Sequence, residues 1–139
     1  MTQLTRKRMS QRGFTLLELM IVIVIVALIA GFAVPRYTRT VERSRQGEAL
    51  RILGDIRQSE FRYAAEYGTY ANQAELTGGV MDIDDPNNLA NRYFSYAIDA
   101  GASNAAFGLT ATRTTLRAAA GVAGYTVTMD QDGNTVRGY

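Results

Sequence analysis

The sequence predicts an α+β protein: a long N-terminal helix packed on a C-terminal four-stranded antiparallel sheet. Three observations carry that expectation. Residues Phe14 to Val34 form a run of twenty-one residues with one charge, Glu18. Residues 36–68 repeat apolar side chains with helical spacing. After residue 90 the pattern changes to short alternating segments, the last two separated by an Asp-Gly turn. A helix and a sheet, each apolar on one face, are buried by packing against each other.

The leader comes first. MTQLTRKRMSQRG holds Arg6, Lys7, Arg8 and Arg12 and no acid. The chain has 15 basic and 13 acidic side chains, nominally +2. Without the first thirteen residues it has 11 basic and 13 acidic side chains, a net of −2. The high pI is thus mostly the leader's, and it does not argue for nucleic acid. There is no cysteine, histidine or tryptophan. That excludes disulfides, thiolate chemistry, imidazole metal sites and His-dependent triads.

The apolar run would rise about 31 Å as a helix, enough to cross a bilayer core. The basic leader holds its own side in the cytoplasm. A secretory signal would have a shorter apolar core and a small-x-small cut after it; here Ala27, Ala30 and Ala33 are spaced by three. A plain signal anchor explains length and charge but not Glu18. An ionised carboxylate four residues inside such a run costs a few kcal/mol unless it is paired, which marks it as a functional candidate.

The string Arg12-Gly13-Phe14-Thr15-Leu16-Leu17-Glu18-Leu19-Met20-Ile21-Val22 resembles the processing and assembly motif of type IV pilins and type II secretion pseudopilins. The resemblance implies cleavage between Gly13 and Phe14 by a prepilin peptidase and N-methylation of Phe14. It implies assembly through Glu18 and Phe14. Its partners would be other pilins and copies of itself, an inner-membrane assembly platform, and the lipid bilayer before assembly. The precursor would be a single-pass inner-membrane protein, with its leader cytoplasmic and its globular domain periplasmic. It would then enter a surface or periplasmic filament.

Pro35 follows the run and lacks an amide hydrogen, so Gly31 and Pro35 are read as a joint where the helix kinks or loosens. The expected divisions are a leader at 1–13, a membrane and filament-core helix at 14–35, an amphipathic helix at 36–70, and a loop and sheet at 71–139. In the second helix Ala49, Leu53, Ile56, Tyr63 and Tyr67 make one stripe, with Ile52 and Ala64 beside it. Glu60 falls on the stripe and is expected at its partly exposed edge. Arg45, Glu48, Arg51, Asp55, Arg57 and Glu66 are expected outside, with helical pairs such as Glu48–Arg51 and Arg62–Glu66. Gly68 is the expected cap.

Residues 71–91 read as a loop around Pro86. Strands are expected at 92–99, 107–114, 124–129 and 135–138, with a hairpin turn at Asp130–Asn134. Residues 115–123 are a loop or one helical turn. Asp82, Asp84 and Asp85, with Asn87 and Asn88, have the oxygen donors that calcium takes. A solvated turn is the preferred reading, and no cofactor is expected. Tyr63, Tyr67, Tyr70, Tyr93, Phe94 and Tyr96 are read as packing rather than stacking on bases, since no basic stripe interleaves with them. No nucleophile–base pair or phosphate loop emerges, so an enzyme is not expected. The expected function is a structural subunit of a type IV pilus or pilus-like filament. The alternatives are a secretion pseudopilin and, from another class, a membrane-anchored binding module such as a DNA-uptake or adhesive minor pilin.

Overall fold

The computed structural model describes residues 13–90, 92–100, 106–116, 118 and 124–138. The leader up to residue 12 and most of 117–123 lie outside the described residues. Helix α1 runs from Leu16 to Tyr67 and is helical across both Gly31 and Pro35. The chain divides into two compact units, residues 1–37 and 38–139.

The first unit is helix from Leu16 onward, with every described side chain exposed. Phe14 and Thr15 precede the first helical residue.

The second unit is built on the remainder of α1. Its buried positions are Glu42, Gln46, Ala49, Leu53, Ile56, Ser59 and Glu60. The stripe therefore includes Ala49, Leu53 and Ile56 as expected, but it starts two turns earlier, on polar residues. Tyr67 is 54 % exposed, so the stripe does not reach the helix end. Gly68 ends the helix with φ 75°, and its N–H donates to the Ala64 carbonyl at 2.9 Å. That left-handed geometry suits glycine.

The segment expected to be a loop contains two short helices, α2 (Gln73–Thr77) and a 3-10 turn (Pro86–Asn88). Asn72 caps α2: its side chain accepts the Ala74 N–H at 2.7 Å while Glu75 accepts the Asn72 N–H at 2.8 Å. This reciprocal pair satisfies two donors that would otherwise be orphaned at the helix start. Asp85 caps the 3-10 turn by accepting the Asn87 N–H at 2.9 Å.

Strands β1 (Phe94–Ala100), β2 (Phe107–Arg113), β3 (Thr126–Asp130) and β4 (Thr135–Arg137) form one antiparallel sheet in chain order. Ile98 pairs with Leu109, and Ala111 with Val127. Alternation places Phe94, Tyr96, Ile98, Phe107, Leu109, Ala111 and Val127 in the core, against Ala49, Leu53 and Ile56. Two side chains seal the outer edge of β1. Asn87 both accepts the Tyr96 N–H (2.8 Å) and donates to the Tyr96 carbonyl (2.9 Å), and Gln73 accepts the Ile98 N–H (2.8 Å). The β3–β4 turn uses Gly133 at φ 88°, and Arg57 Nε ties it to α1 by donating to the Gln131 carbonyl at 2.7 Å.

Candidate assembly site

The helix start is built by Thr15. Its Oγ1 accepts the Glu18 N–H at 3.2 Å, and its carbonyl accepts the Leu19 N–H at 3.2 Å. Thr15-Leu16-Leu17-Glu18 has the Ser/Thr-x-x-Glu spacing of a helix N-terminus, a signal in the sequence that the motif reading passed over. Glu18 thus sits in the first turn of α1, where the helix dipole favours a negative charge. Its side chain is exposed and has no ion pair among the described residues. Gly13, Phe14 and Glu18 therefore lie within one turn of the helix start. Gly31 and Pro35 lie inside the helix, away from these three along the chain.

Around Glu18 the surface is apolar. Phe14 is 83 % exposed and Phe32 79 %, and each large side chain between Leu16 and Val34 is about half exposed or more. This stretch of α1 is long and apolar enough to cross a membrane. Burying one such side chain is worth roughly 1.5–3 kcal/mol. A stretch this long left in water is strongly unfavourable, so lipid or other helices must cover it.

In the second unit the sequence reading missed a buried charge cluster. Arg113 ends the inward alternation of β2 with its guanidinium fully buried. Its Nε and Nη2 meet the two oxygens of Glu42 at 3.0 and 3.2 Å, and Nη1 donates to the carbonyls of Tyr93, Thr114 and Leu116. Arg45, expected on the outer face, turns to the same carboxylate and lies over the Tyr93 ring. Tyr125 Oη donates to Glu42 at 3.2 Å. Burial acts to raise the Glu42 carboxyl, but the hydrogen bond and charge of Arg113, with those of Arg45, outweigh it and hold it below its ordinary value. Burial, with the Glu42 charge adding, pushes the Tyr125 phenol up to about 12.

Glu60 corrects the sequence expectation more sharply. It is fully buried, not at an edge. Oε2 accepts the Ala71 N–H at 2.8 Å, which clasps the end of α1 to the chain beyond it, while Oε1 has no partner among the described residues. Burial raises its pKa. The expected helical pairs are also rearranged: Arg51 meets Asp55 at 3.2 Å, and Arg62 reaches Asp82 at 3.3 Å.

Asp82, Asp84 and Asp85 line one open polar hollow with Asn88. Asp82 is engaged by Arg62 and Asp85 by the Asn87 N–H, and no group of three acids able to hold a metal occurs among the described residues. Of the aromatics, Phe94 and Tyr96 are core, Tyr63, Tyr70 and Tyr93 pack against it, and Tyr67 stacks on Tyr63 with ring centroids 4.4 Å apart.

Residues 8–34 match the model of the prokaryotic N-terminal methylation motif. Residues 35–124 match the family described as type IV minor pilin ComP, DNA uptake sequence receptor. The fimbrial protein EcpC of Eikenella corrodens is 31 % identical over 124 residues, 89 % of this chain and 76 % of EcpC. The type IV major pilin protein PilA of Myxococcus xanthus is 40 % identical over 65 residues, 45 % of this chain and 30 % of PilA. The type IV major fimbrial protein FimA of Dichelobacter nodosus is 30 % identical over 99 residues, 68 % of this chain and 62 % of FimA. The chain thus spans less than two thirds of PilA and FimA. No solved structure matches it.

Proposed function

The chain belongs to the type IV pilin family, and from that premise we propose that it is a structural subunit of a type IV pilus. It waits in the inner membrane, anchored by the apolar half of α1. Peptidase cleavage after Gly13 makes Phe14 the amino terminus, which is then methylated. In the filament the apolar helices exchange lipid for one another. Glu18 then loses water and needs a cation, and the amine of a neighbouring copy's Phe14 supplies one. That pairing sets the axial register, because an unpaired charge in an apolar core is penalised. Gly31 and Pro35 serve as a joint at which α1 adjusts between membrane and filament.

The observation that carries this reading is the unbroken exposure of apolar side chains from Phe14 to Val34 with a single carboxylate in the first helical turn. The relatives, named as pilins and fimbrial proteins, favour a pilus over a secretion pseudopilus. Processing is tested by mass spectrometry of the membrane-bound protein. The expected N-terminus is methylated Phe14, and Gly13→Val leaves an uncut precursor. A start after Ala30 or Ala33 would mean ordinary signal cleavage and refute the reading.

A second reading, a DNA-binding minor pilin, is favoured by the family match over residues 35–124. Its test is an electrophoretic shift of duplex DNA by the unit that starts at Thr38. A shift that depends on DNA sequence supports it, and no shift at low salt removes it.

A further inference from the structure

We infer that Arg39 and Arg43 form a docking surface for anionic phospholipid headgroups, holding the waiting subunit at the leaflet where its apolar run emerges. This rests on the reading of that run as a membrane anchor. Between Arg36 and Arg45 the sequence holds four arginines and one acid, Glu42. By spacing alone Glu42 would neutralise Arg39 and Arg43, its neighbours at three residues and one. The structure removes it: Glu42 is 3 % exposed and is taken by Arg113, Arg45 and Tyr125. Arg39 and Arg43 are exposed, and neither guanidinium has an ion pair or hydrogen bond among the described residues. They lie four residues apart, one helical turn. The surface there is cationic because the nearby acid is buried.

The phospholipid assignment comes from chain length. Arg39 and Arg43 follow Val34 by five and nine residues. As helix, nine residues rise no more than about 14 Å, and the headgroup layer extends roughly 5–8 Å beyond the hydrocarbon. Arginine stems reach back several ångströms along an apolar surface. With the run in a bilayer, both guanidiniums therefore come within reach of phosphates. Tyr37, which closes the first unit with 70 % exposure, is a residue type favoured at that boundary. Duplex DNA is the less favoured partner, since a binding surface for it engages roughly six to ten phosphates.

The chain has no cysteine, so Ser44→Cys, at an exposed position, gives a single labelling site on the full chain. The labelled protein is placed in vesicles of phosphatidylcholine with a minority of phosphatidylglycerol. Energy transfer from the label is then read to trace acceptors on either lipid. Each arginine near an anionic surface should favour it about fivefold. The expected result is a clear preference for phosphatidylglycerol acceptors, brought close to one by Arg39→Gln with Arg43→Gln and by high salt. Equal transfer from both lipids, or a preference that survives the double variant, overturns the proposal. So does a chain without lipid preference that shifts duplex DNA through the same two arginines. Alkaline extraction of the same vesicles separates the two readings. A chain that washes off overturns the membrane anchor and this proposal together; an inserted chain without preference overturns this proposal alone.

Discussion

The two units of this chain treat a carboxylate in apolar surroundings in opposite ways. In the first, Glu18 stands exposed among uncovered apolar side chains and has no ion pair among the described residues. In the second, Glu42 is buried and met by two arginines and a tyrosine from the same chain. One unit completes its own core. The other presents an apolar surface that no described part of the chain covers. The difference separates folding from assembly: removing Glu18 should leave the folded unit untouched, and removing Arg113 should damage it whether or not a filament forms.

The largest expected effect tests the exposed carboxylate. Glu18→Ala should be made, inserted and cleaved normally, yet its yield in sheared filaments should fall by roughly a hundredfold or more, since breaking a desolvated pair typically costs about 3–5 kcal/mol. Glu18→Gln should also be impaired, because it keeps shape but not charge. Immunoblots of membrane and sheared fractions check both, and normal yield from both would show that Glu18 does not direct assembly.

Next comes the buried pair. Arg113→Met breaks the buried pair and leaves Glu42 with only the partly exposed Arg45 and Tyr125; breaking a buried pair typically costs about 3–5 kcal/mol. At roughly 4–8 °C per kcal/mol for a domain of this size, the thermal midpoint should drop by about 10 °C or more. The double variant Glu42→Leu, Arg113→Met should recover much of that loss, since paired charges are often replaceable by apolar residues. A further cut sharpens the contrast. The unit starting at Thr38, which keeps Glu42, should be soluble and show both helix and strand by circular dichroism; aggregation would contradict its self-sufficiency.

Smaller effects separate the two buried carboxylates by pH. The lowered pKa of Glu42 contributes stability that is present above its ordinary value of 4.5 and is lost as pH falls through the folded value. Glu60 has the opposite sign. Its pKa is raised, so the folded chain gains stability as pH falls from above the raised value to 4.5. Glu60→Gln should therefore melt higher than wild type near neutral pH, with the gap closing towards pH 4.5. A constant gap across that range would show that burial does not perturb Glu60. The smallest change is Gly133→Ala, costing about 1–2 kcal/mol for a side chain at φ 88°. Its Cβ would sit in ordinary contact, 3.6 Å from the Arg57 guanidinium carbon, so the cost is the backbone's alone.

Features encoded by local spacing were legible before the structure. The apolar run, the position of Glu18, the Gly68 stop and the hairpin turn all depend on neighbours within a few residues. The four strands start and end within two residues of expectation for the same reason. Helix α2 was equally legible through Asn72 and Glu75, but the Gly- and Asp-rich composition around it read as loop. Glu42 and Arg113 were not legible, because they are 71 residues apart and each alone reads as a solvated charge. Glu60 misled for a related reason: the backbone N–H of Ala71 that holds it leaves no mark on side-chain periodicity.

The sealed edge of β1 has a consequence for crowding. A subunit made in many copies, each with an uncovered sheet margin, would risk sheet-to-sheet stacking into fibres of the wrong kind. Asn87 and Gln73 close that margin on β1, and the opposite margin, β4, offers only Thr135 to Arg137, with an arginine at its end. Polymerisation along the backbone is discouraged at both margins, in keeping with the proposal that copies join through the exposed helix. Asn87→Ala should reveal this as slow, thioflavin-positive aggregation of the concentrated unit that starts at Thr38, under conditions where wild type stays clear.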